Sequence, residues 1–441
     1  MRPIRTLISQ SADLRRFSFG FVWSVLGTVA VRLTPMITTI LISHWFGIEA
    51  VGKFGVTYGT LVSASMLAAT GVSLMATRNV AAYATTDPET AGRLAGMALI
   101  LVAATSALLG LVIFCLADDI ANRLLRQPQL GFYLGVIAPI IVVSALNSVQ
   151  TAILSGLQEF RAIARLNIIM GALMIAAVPA GLYLHGLTGA FIALGCAYLA
   201  GCFITMPTMM RALKAHGVPL AFRGALSQWR MITRYAIPAL LASILYEPVN
   251  WICTTIVVNK PDGLEQVGLY FIAMQLETLL LFAPQIVVQV LIPMLSTGFG
   301  EGNRRRVLNI LAMSIGTNLV IAIGFVSVMM LFGDWFLLVF KLDPARDWPV
   351  FVIVVFASAM IACALPLGQV PVSSGHMWTG LTITAGWAAT FIIGTWLLQD
   401  QGAKGIVIAR VIAWGLQTLV YTGFTRFAIL RTGCSNSQEK A

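Results

Sequence analysis

The sequence contains an internal repeat that sets the expected architecture. The repeat reads ITTILISHWFGIEAVGKF at residues 37–54 and CTTIVVNKPDGLEQVGLY at residues 253–270, and the two copies align without a gap. Seven of the eighteen positions are identical at a constant offset of 216 residues, close to half of the 441-residue chain. Such an offset predicts two copies of one structural unit. We therefore expect the function to lie where the two copies meet.

The composition indicates a membrane protein. Apolar residues make up 58% of the chain, charged residues only 10%, and the mean hydropathy is +0.88, whereas soluble proteins carry about 25% charged residues. A bilayer crossing needs roughly 20 apolar residues, and the sequence offers about twelve such runs. We predict an all-α polytopic membrane protein with about twelve transmembrane helices. The apolar run after the basic N-terminus is interpreted as the first of them, not as a signal peptide.

The net charge of +11 is explained by topology. Membrane proteins keep lysine and arginine in their cytoplasmic segments, and most of the 28 such residues fall in segments that a cytoplasmic N-terminus places on the inner side. We predict that both termini are cytoplasmic. Because topology explains the charge, we expect no nucleic-acid partner.

The predicted helices divide evenly between the two halves of the chain. An even number of crossings per half makes the two repeats parallel, related by an axis along the membrane normal. We predict an N-terminal six-helix lobe at 1–210, a cytoplasmic linker at 211–228, a C-terminal six-helix lobe at 229–431 and a polar tail at 432–441. The predicted helices lie at about 17–44, 54–76, 92–117, 130–154, 162–184, 188–210, 230–258, 266–294, 305–333, 349–372, 377–398 and 404–430.

Four charged residues stand out in the apolar interior of these predicted helices, where a charge costs roughly 2.5–3.5 kcal/mol and therefore needs a partner or water. They are Arg32, Glu247, Glu277 and Arg410. The offset of 216 places Arg32 one residue from the equivalent of Glu247, which leaves two interpretations open. The two side chains form a structural ion pair between the lobes, or Arg32 binds an anionic headgroup while Glu247 is a proton or cation site. We treat Glu277 as a second ion-coupling candidate and Arg410 as a packing residue.

Polar and aromatic side chains near these charges are candidates for lining a wet cavity. Besides Arg32, the substrate-binding candidates are Tyr58, Asn147, Gln150, Tyr246, Asn250 and Trp251, with Trp23, Thr34, Thr38 and Gln275 as further lining. Packing between helices explains many of them equally well. The histidines and cysteines show no metal-ligand or disulfide spacing, and no catalytic motif occurs. We therefore expect no metal, no cofactor and no enzymatic chemistry.

Three segments carry a resemblance to a known family. HWFGIEAVGKFG at 44–55, ATGVSLMATRNVA at 69–81 and SGLQEFRAIARLN at 155–167 resemble the polysaccharide-transporter branch of the multidrug/oligosaccharidyl-lipid/polysaccharide (MOP) flippase superfamily. The resemblance implies two six-helix lobes in a V shape around a central cavity that opens alternately to each side. It also implies transport of polyprenyl-pyrophosphate-linked oligosaccharides across the inner membrane of a bacterium for surface polysaccharide synthesis, with cavity arginine or lysine residues binding the phosphates.

One departure from this family keeps a second hypothesis open. The family has a strongly basic cavity, whereas Arg32 is the clear central cation of this sequence and Glu247 lies close to its repeat-equivalent position. The alternative is a multidrug or toxin exporter of the same superfamily, coupled to H⁺ or Na⁺ through Glu247 and Glu277. A membrane glycan polymerase or ligase is a third hypothesis, disfavoured because its outer loops would be larger. The partners expected for a flippase are lipid-linked oligosaccharide, membrane lipids and polysaccharide-assembly proteins.

Overall fold

The computed structural model describes residues 2–222, 245–374 and 376–438. Side chains are described from residue 33 to residue 429 within these ranges, except at residues 289, 290, 292, 293, 300 and 377. The predictions for Trp23 and for the Arg32 side chain therefore lie outside the described residues, as does the end of the predicted linker. The first part of that linker, residues 211–215, continues a transmembrane helix.

The described chain is built from α-helices, with no β-strand in the described ranges. This confirms the predicted all-α polytopic fold class. The long helices are α1 (Arg2–Tyr83), α2 (Pro88–Cys115), α3 (Leu130–Gly156), α4 (Phe160–Ala215), α5 (Tyr246–Val258), α6 (Gly263–Gly300), α7 (Arg304–Val339), α8 (Pro344–Gly368), α9 (Met377–Leu397) and α10 (Gly402–Gln438). Short helical pieces occupy Ala117–Asp119, Ile120–Leu124, Val370–Ser373 and Gln399–Gln401. Helix α10 runs well into the segment that the sequence predicted as a polar tail.

Two of the helices are each two spans joined at a bend. Helix α1 has non-helical dihedral angles at Gly47 (φ 82°, ψ 176°), and α4 has them at His185 and Gly186. Within the described residues, nine helices are long and apolar enough to cross a membrane. The two bends fall between the helices predicted on either side of residues 44–54 and 184–188. Helix α5, with thirteen described residues, corresponds to the end of the helix predicted at 230–258.

Polar caps fix where several helices begin. The Asp87 side chain accepts hydrogen bonds from the backbone N–H of Thr90 at 3.1 Å and from its hydroxyl at 2.6 Å, at the start of α2. These bonds favour the charged carboxylate and lower the pKa of Asp87. Asn303 and Asp343 cap α7 and α8 in the same way.

The chain forms two compact units whose boundaries interleave. The first unit comprises Met1–Leu41 and Thr57–Ser243, and the second comprises Ile42–Val56 and Ile244–Ala441. The bend of α1, with most of the first copy of the repeat, thus belongs to the second unit. The lobe boundaries at 1–210 and 229–431 stay a prediction.

Each unit has its own apolar core. In the first unit, buried residues of α1, α2, α3 and α4 form one cluster, including Met75, Met97, Val149 and Met209. In the second unit, α6, α7 and α10 share one cluster, while α6, α7 and α8 share another around Ala322 and Ile361. Packing in these cores fixes the orientation of each helix and therefore of the polar residues on its other faces.

Within the second unit, the two copies of the repeat contact each other reciprocally. A Cβ atom built on Gly52 would lie 1.8 Å from the backbone oxygen of Leu264, and one built on Gly268 would lie 2.3 Å from that of Ile48. By the offset of 216, Gly268 is the equivalent of Gly52, and Leu264 is the equivalent of Ile48. Each of the two contacts is therefore the repeat-equivalent of the other. Glycine is required at both positions because any side chain would collide with the facing backbone.

Candidate functional site

Three of the four charged residues that the sequence placed in helices come together in the second unit. Glu277 lies on α6, Arg410 on α10 and Glu247 in the first turn of α5. At 1.5 Å per residue, Glu277 lies roughly 20 Å along α6 from Gly263, and Arg410 lies about 12 Å along α10 from Gly402. These positions are well inside the spans, where a charge needs a partner.

Glu277 and Arg410 form a buried, bidentate ion pair. Nη2 of Arg410 donates to Oε1 of Glu277, and Nε donates to Oε2 at 3.2 Å. Both residues are less than a tenth exposed. A two-point contact between guanidinium and carboxylate is among the strongest side-chain interactions and fixes the direction of both groups. Arg410, which the sequence suggested was a packing residue, is thus held by a specific partner.

Asn250 and Tyr270 complete the ring of polar groups around Arg410. Nη1 of Arg410 donates to Oδ1 of Asn250 at 2.8 Å, and the Tyr270 hydroxyl donates to the same oxygen at 3.4 Å. Nδ2 of Asn250 donates to the backbone oxygen of Tyr246 at 3.1 Å, which orients the amide. We call Asn250, Tyr270, Glu277 and Arg410 the Arg410 cluster.

An aromatic ring closes a further side of this cluster. The guanidinium carbon of Arg410 lies 5.9 Å from the centre of the Phe391 ring on α9, within the range of a cation–π contact. Helices α5, α6, α9 and α10 therefore all contribute to holding one cation. Because four helices position Arg410, movement of any one of them changes the contacts of its guanidinium group.

Glu247 is the second carboxylate of this region. It lies close enough to Arg410 and to Glu277 to interact electrostatically with both. Its side chain is half-buried and makes no hydrogen bond or ion pair with any described residue. Since Arg410 can neutralise only one of the two carboxylates, the described residues of this region include one acidic group in excess.

The structure separates the remaining candidates. Tyr246 and Trp251 lie on α5 with Asn250, whereas Tyr58, Asn147 and Gln150 lie in the first unit. Nε2 of Gln150 faces the sulfur of Met206 at 3.7 Å, its Oε1 has no partner, and Nδ2 of Asn147 has none among the described residues. Among the described candidates, those of the first unit are thus uncharged, with spare hydrogen-bonding capacity at Asn147 and Gln150, whereas those of the second unit include charged groups.

Across the described ranges, no three histidine, cysteine, aspartate or glutamate side chains lie together in a way that could hold a metal ion. The carboxylates of Glu247 and Glu277 and the amide oxygen of Asn250 are the oxygen ligands near Arg410. Glu247 has no ion-pair partner among the described residues and could exchange a proton as it stands, whereas Glu277 could do so only after separating from Arg410.

The sequence alone did not reveal the pairing of Glu277 with Arg410, nor the involvement of Tyr270 and Phe391. The available signal was one acidic and one basic residue in two strongly apolar helices of the same half. Each of these charges needs a partner, and pairing them would have satisfied both.

The many apolar helices and the buried charges define a multi-span membrane protein. The sequence profile of the family described as "Polysaccharide biosynthesis protein" matches residues 19–299, more than half of the chain. The chain belongs to this family.

Individual proteins support the same assignment. The chain is 23% identical over 402 residues to the EPS I polysaccharide export inner membrane protein EpsE of Ralstonia nicotianae (strain ATCC BAA-1114 / GMI1000), covering 89% of this chain and 90% of that protein. Among solved structures, an inward-facing multidrug resistance MATE family transporter of the MOP superfamily superposes with a TM-score of 0.78 at 16% identity, covering 91% of this chain and 95% of the other.

A second solved transporter has the same fold. It is a MOP superfamily transporter from Pyrococcus furiosus, described by the reverse polarity of its binding pocket, with a TM-score of 0.69 at 16% identity over 93% of this chain and 94% of that one. At these identities the structures establish the fold alone. The fold is that of the MOP superfamily, as the three sequence segments indicated.

Proposed function

We propose that this protein is an alternating-access flippase of the bacterial inner membrane that translocates a polyprenyl-pyrophosphate-linked oligosaccharide for surface polysaccharide synthesis. Membership of the polysaccharide biosynthesis family and the likeness to an EPS I export protein support the substrate class. The protein acts as a transporter without enzymatic chemistry. Its partners are the lipid-linked oligosaccharide, membrane lipids and polysaccharide-assembly proteins, and both termini lie in the cytoplasm.

The observation that carries this proposal is the buried ion pair of Arg410 with Glu277. A planar guanidinium fits two oxygens of a phosphate group as well as it fits a carboxylate. A substrate pyrophosphate therefore competes with Glu277 for the same donors. Binding would leave Asn250 and Tyr270 in place as neutral groups that continue to orient Arg410.

The excess carboxylate suggests how the site is reset. When phosphate displaces Glu277 from Arg410, Glu247 and Glu277 are two nearby acidic groups without a cation, and proton or Na⁺ uptake relieves their repulsion. Release of the substrate returns Glu277 to Arg410 and expels the proton or cation. In one state Arg410 pairs with Glu277, and in the other it pairs with the substrate phosphate. The substrate and the proton or cation therefore bind the two states with different affinities, as a ligand-driven conformational shift requires.

The remaining candidate residues supply contacts to the sugar part. We propose that Arg32 is a second phosphate contact and that the amides of Asn147 and Gln150, with Tyr58, bind sugar hydroxyls in the first unit. In the second unit, Tyr246, Asn250 and Trp251 line the substrate site. The unpaired buried atoms of Asn147 and Gln150 support this assignment, because buried amides normally find partners.

Complementation of a deletion strain tests the proposal. We expect Arg410→Gln to abolish surface polysaccharide, and the double variant Arg410→Gln/Glu277→Gln to do so as well. The double variant removes both charges of the pair, so neither is left behind as an uncompensated buried charge, and its amount in the membrane shows whether it folds. Arg306→Gln is the matched control, since Arg306 pairs with Glu301 at a half-exposed position. Normal polysaccharide in the double variant would remove Arg410 from the mechanism.

A cation-coupled multidrug or toxin exporter is the second candidate function. The excess carboxylate at Glu247 favours it, because an acidic site without a fixed cation attracts cationic drugs. A deletion strain that becomes sensitive to cationic drugs while keeping its surface polysaccharide would favour this function over the first.

A further inference from the structure

A group of aromatic side chains lies next to the Arg410 cluster. The centre of the Tyr246 ring is 4.8 Å from that of Trp387 and 6.1 Å from that of Trp414, and the two indole rings are 5.7 Å apart in a T-shaped arrangement. Trp387 also packs against Phe391 at 5.6 Å. Because Phe391 in turn lies beneath Arg410, the aromatic group is continuous with the Arg410 cluster.

Several polar atoms of this region are buried and unpaired. Nε1 of Trp387, Nε1 of Trp414 and both amide atoms of Gln417 have no hydrogen-bond partner among the described residues. Trp387 is 2% exposed and Gln417 is 3% exposed. The Gln417 amide lies beside the Tyr421 hydroxyl, but the two do not form a hydrogen bond of normal geometry. Buried polar groups are paired in nearly all proteins, so this concentration of unpaired atoms needs an explanation.

These residues follow Arg410 along one face of α10. Arg410, Trp414 and Gln417 are spaced by four and three residues, which places them on the same side of the helix. At 1.5 Å per residue, Trp414 lies about 6 Å and Gln417 about 10 Å beyond Arg410 along the axis. We call Tyr246, Trp387, Trp414 and Gln417 the indole–amide face.

We propose that the indole–amide face binds a sugar ring of the substrate. The C–H face of a pyranose packs on the indole rings, its hydroxyl oxygens accept hydrogen bonds from the two indole N–H groups, and Gln417 both donates and accepts. This inference rests on the proposed function, since a pyrophosphate at Arg410 places the attached sugars along the same face of α10.

A hydroxyl-rich ligand fits these residues better than a lipid chain does. An indole N–H can only donate, and an amide both donates and accepts, so an alkyl chain would leave all four atoms unpaired. Tyr246 is half-buried and covers Trp387 with its own ring, tilted by 40°. The Tyr246 ring therefore occupies the place that a sugar would take, and it moves aside when the sugar binds.

Binding of two lipid pyrophosphates to the full-length protein in lipid nanodiscs tests this inference. The probes are farnesyl pyrophosphate and farnesyl-pyrophosphate-linked glucose, with affinities measured by thermophoresis. We expect the wild-type protein to bind the glucosylated lipid more tightly. Trp387→Phe and Gln417→Leu should each weaken binding of the glucosylated lipid by about three- to tenfold, the value of one hydrogen bond. Neither variant should change the affinity for the lipid without sugar.

Controls separate this inference from the proposed function. Trp335→Phe, at a position that is 66% exposed, should leave both affinities unchanged, and Trp414→Phe provides a second variant if Trp387→Phe fails to fold. If the variants of the indole–amide face weaken the binding of both lipids equally, these side chains only pack against their neighbours, and the inference is overturned. A wild-type protein that binds both lipids equally would overturn it too, while leaving phosphate binding intact. Binding of neither lipid would overturn the proposed function and this inference together.

Discussion

Replacing Glu277 with glutamine removes the carboxylate that neutralises Arg410 and leaves every other contact of the cation in place. The substitution is nearly isosteric, so it creates no cavity. Nε and Nη2 of Arg410 lose their charged acceptor, while Nη1 keeps its 2.8 Å bond to Asn250. The expected effect is therefore electrostatic.

The magnitude follows from the burial of the pair. Both residues are less than a tenth exposed, and breaking a buried ion pair from one side costs about 3–5 kcal/mol because the remaining charge is left uncompensated. For a unit of roughly 200 residues, each kcal/mol lowers the melting temperature by about 2–4 °C. We expect Glu277→Gln to lower the melting temperature of the purified protein by about 6–20 °C.

A second substitution tests whether charge is the cause. Asn250→Asp places a carboxylate at the position where Oδ1 already meets Arg410, so the double variant Glu277→Gln/Asn250→Asp should recover about half of the loss. Recovery is partial because the new carboxylate no longer donates to the backbone oxygen of Tyr246. Thermal unfolding of the detergent-solubilised proteins measures all variants.

The control is Glu301→Gln, which breaks the half-exposed pair with Arg306. It should cost at most about 1 kcal/mol, as exposed ion pairs do. If Glu277→Gln is as stable as the wild-type protein, the buried pair is not a structural element, and the competition between phosphate and Glu277 loses its basis.

Three further outcomes follow from the structure. Gly52→Val and Gly268→Val should destabilise the protein to a similar extent, because each side chain meets the facing backbone, while Gly59→Ala has no atom within 4 Å of the new Cβ and should be neutral in the same melting assay. Glu247→Gln should abolish the dependence of transport in proteoliposomes on an imposed H⁺ or Na⁺ gradient without lowering the melting temperature, and retained gradient dependence would exclude Glu247 as the coupling residue. Gln150→Leu should preserve or raise stability, since Oε1 of Gln150 is buried and unpaired, but should reduce complementation; full complementation would show that Gln150 does not contact the substrate.

The sequence was sufficient to predict the fold class because the bilayer constrains it so strongly. Apolar runs of spanning length fix the number and approximate position of the helices, and the predicted break between 184 and 188 coincides with the bend at His185 and Gly186. The repeat also predicted a real relation, since Gly52 and Gly268 occupy equivalent positions in a reciprocal contact.

The site was harder to predict because it depends on the rotation of each helix about its axis. In strongly apolar helices, hydropathy hardly distinguishes an inward face from a lipid-facing one, so Arg410 could not be directed toward Glu277, 133 residues away. The repeat offset suggested pairing Arg32 with Glu247, but it carries no information about side-chain partners within one unit. Nor could it show that Ile42–Val56 packs with the second unit.

Flipping of a lipid-linked oligosaccharide by the purified protein tests the central claim most directly. Proteoliposomes would carry a fluorescent polyprenyl-pyrophosphate-linked oligosaccharide, with translocation measured as loss of accessibility to an external quencher. We predict flipping by the wild-type protein, none by Arg410→Gln/Glu277→Gln, and no competition by cationic dyes. Transport of a cationic dye without flipping of the glycolipid would contradict the account.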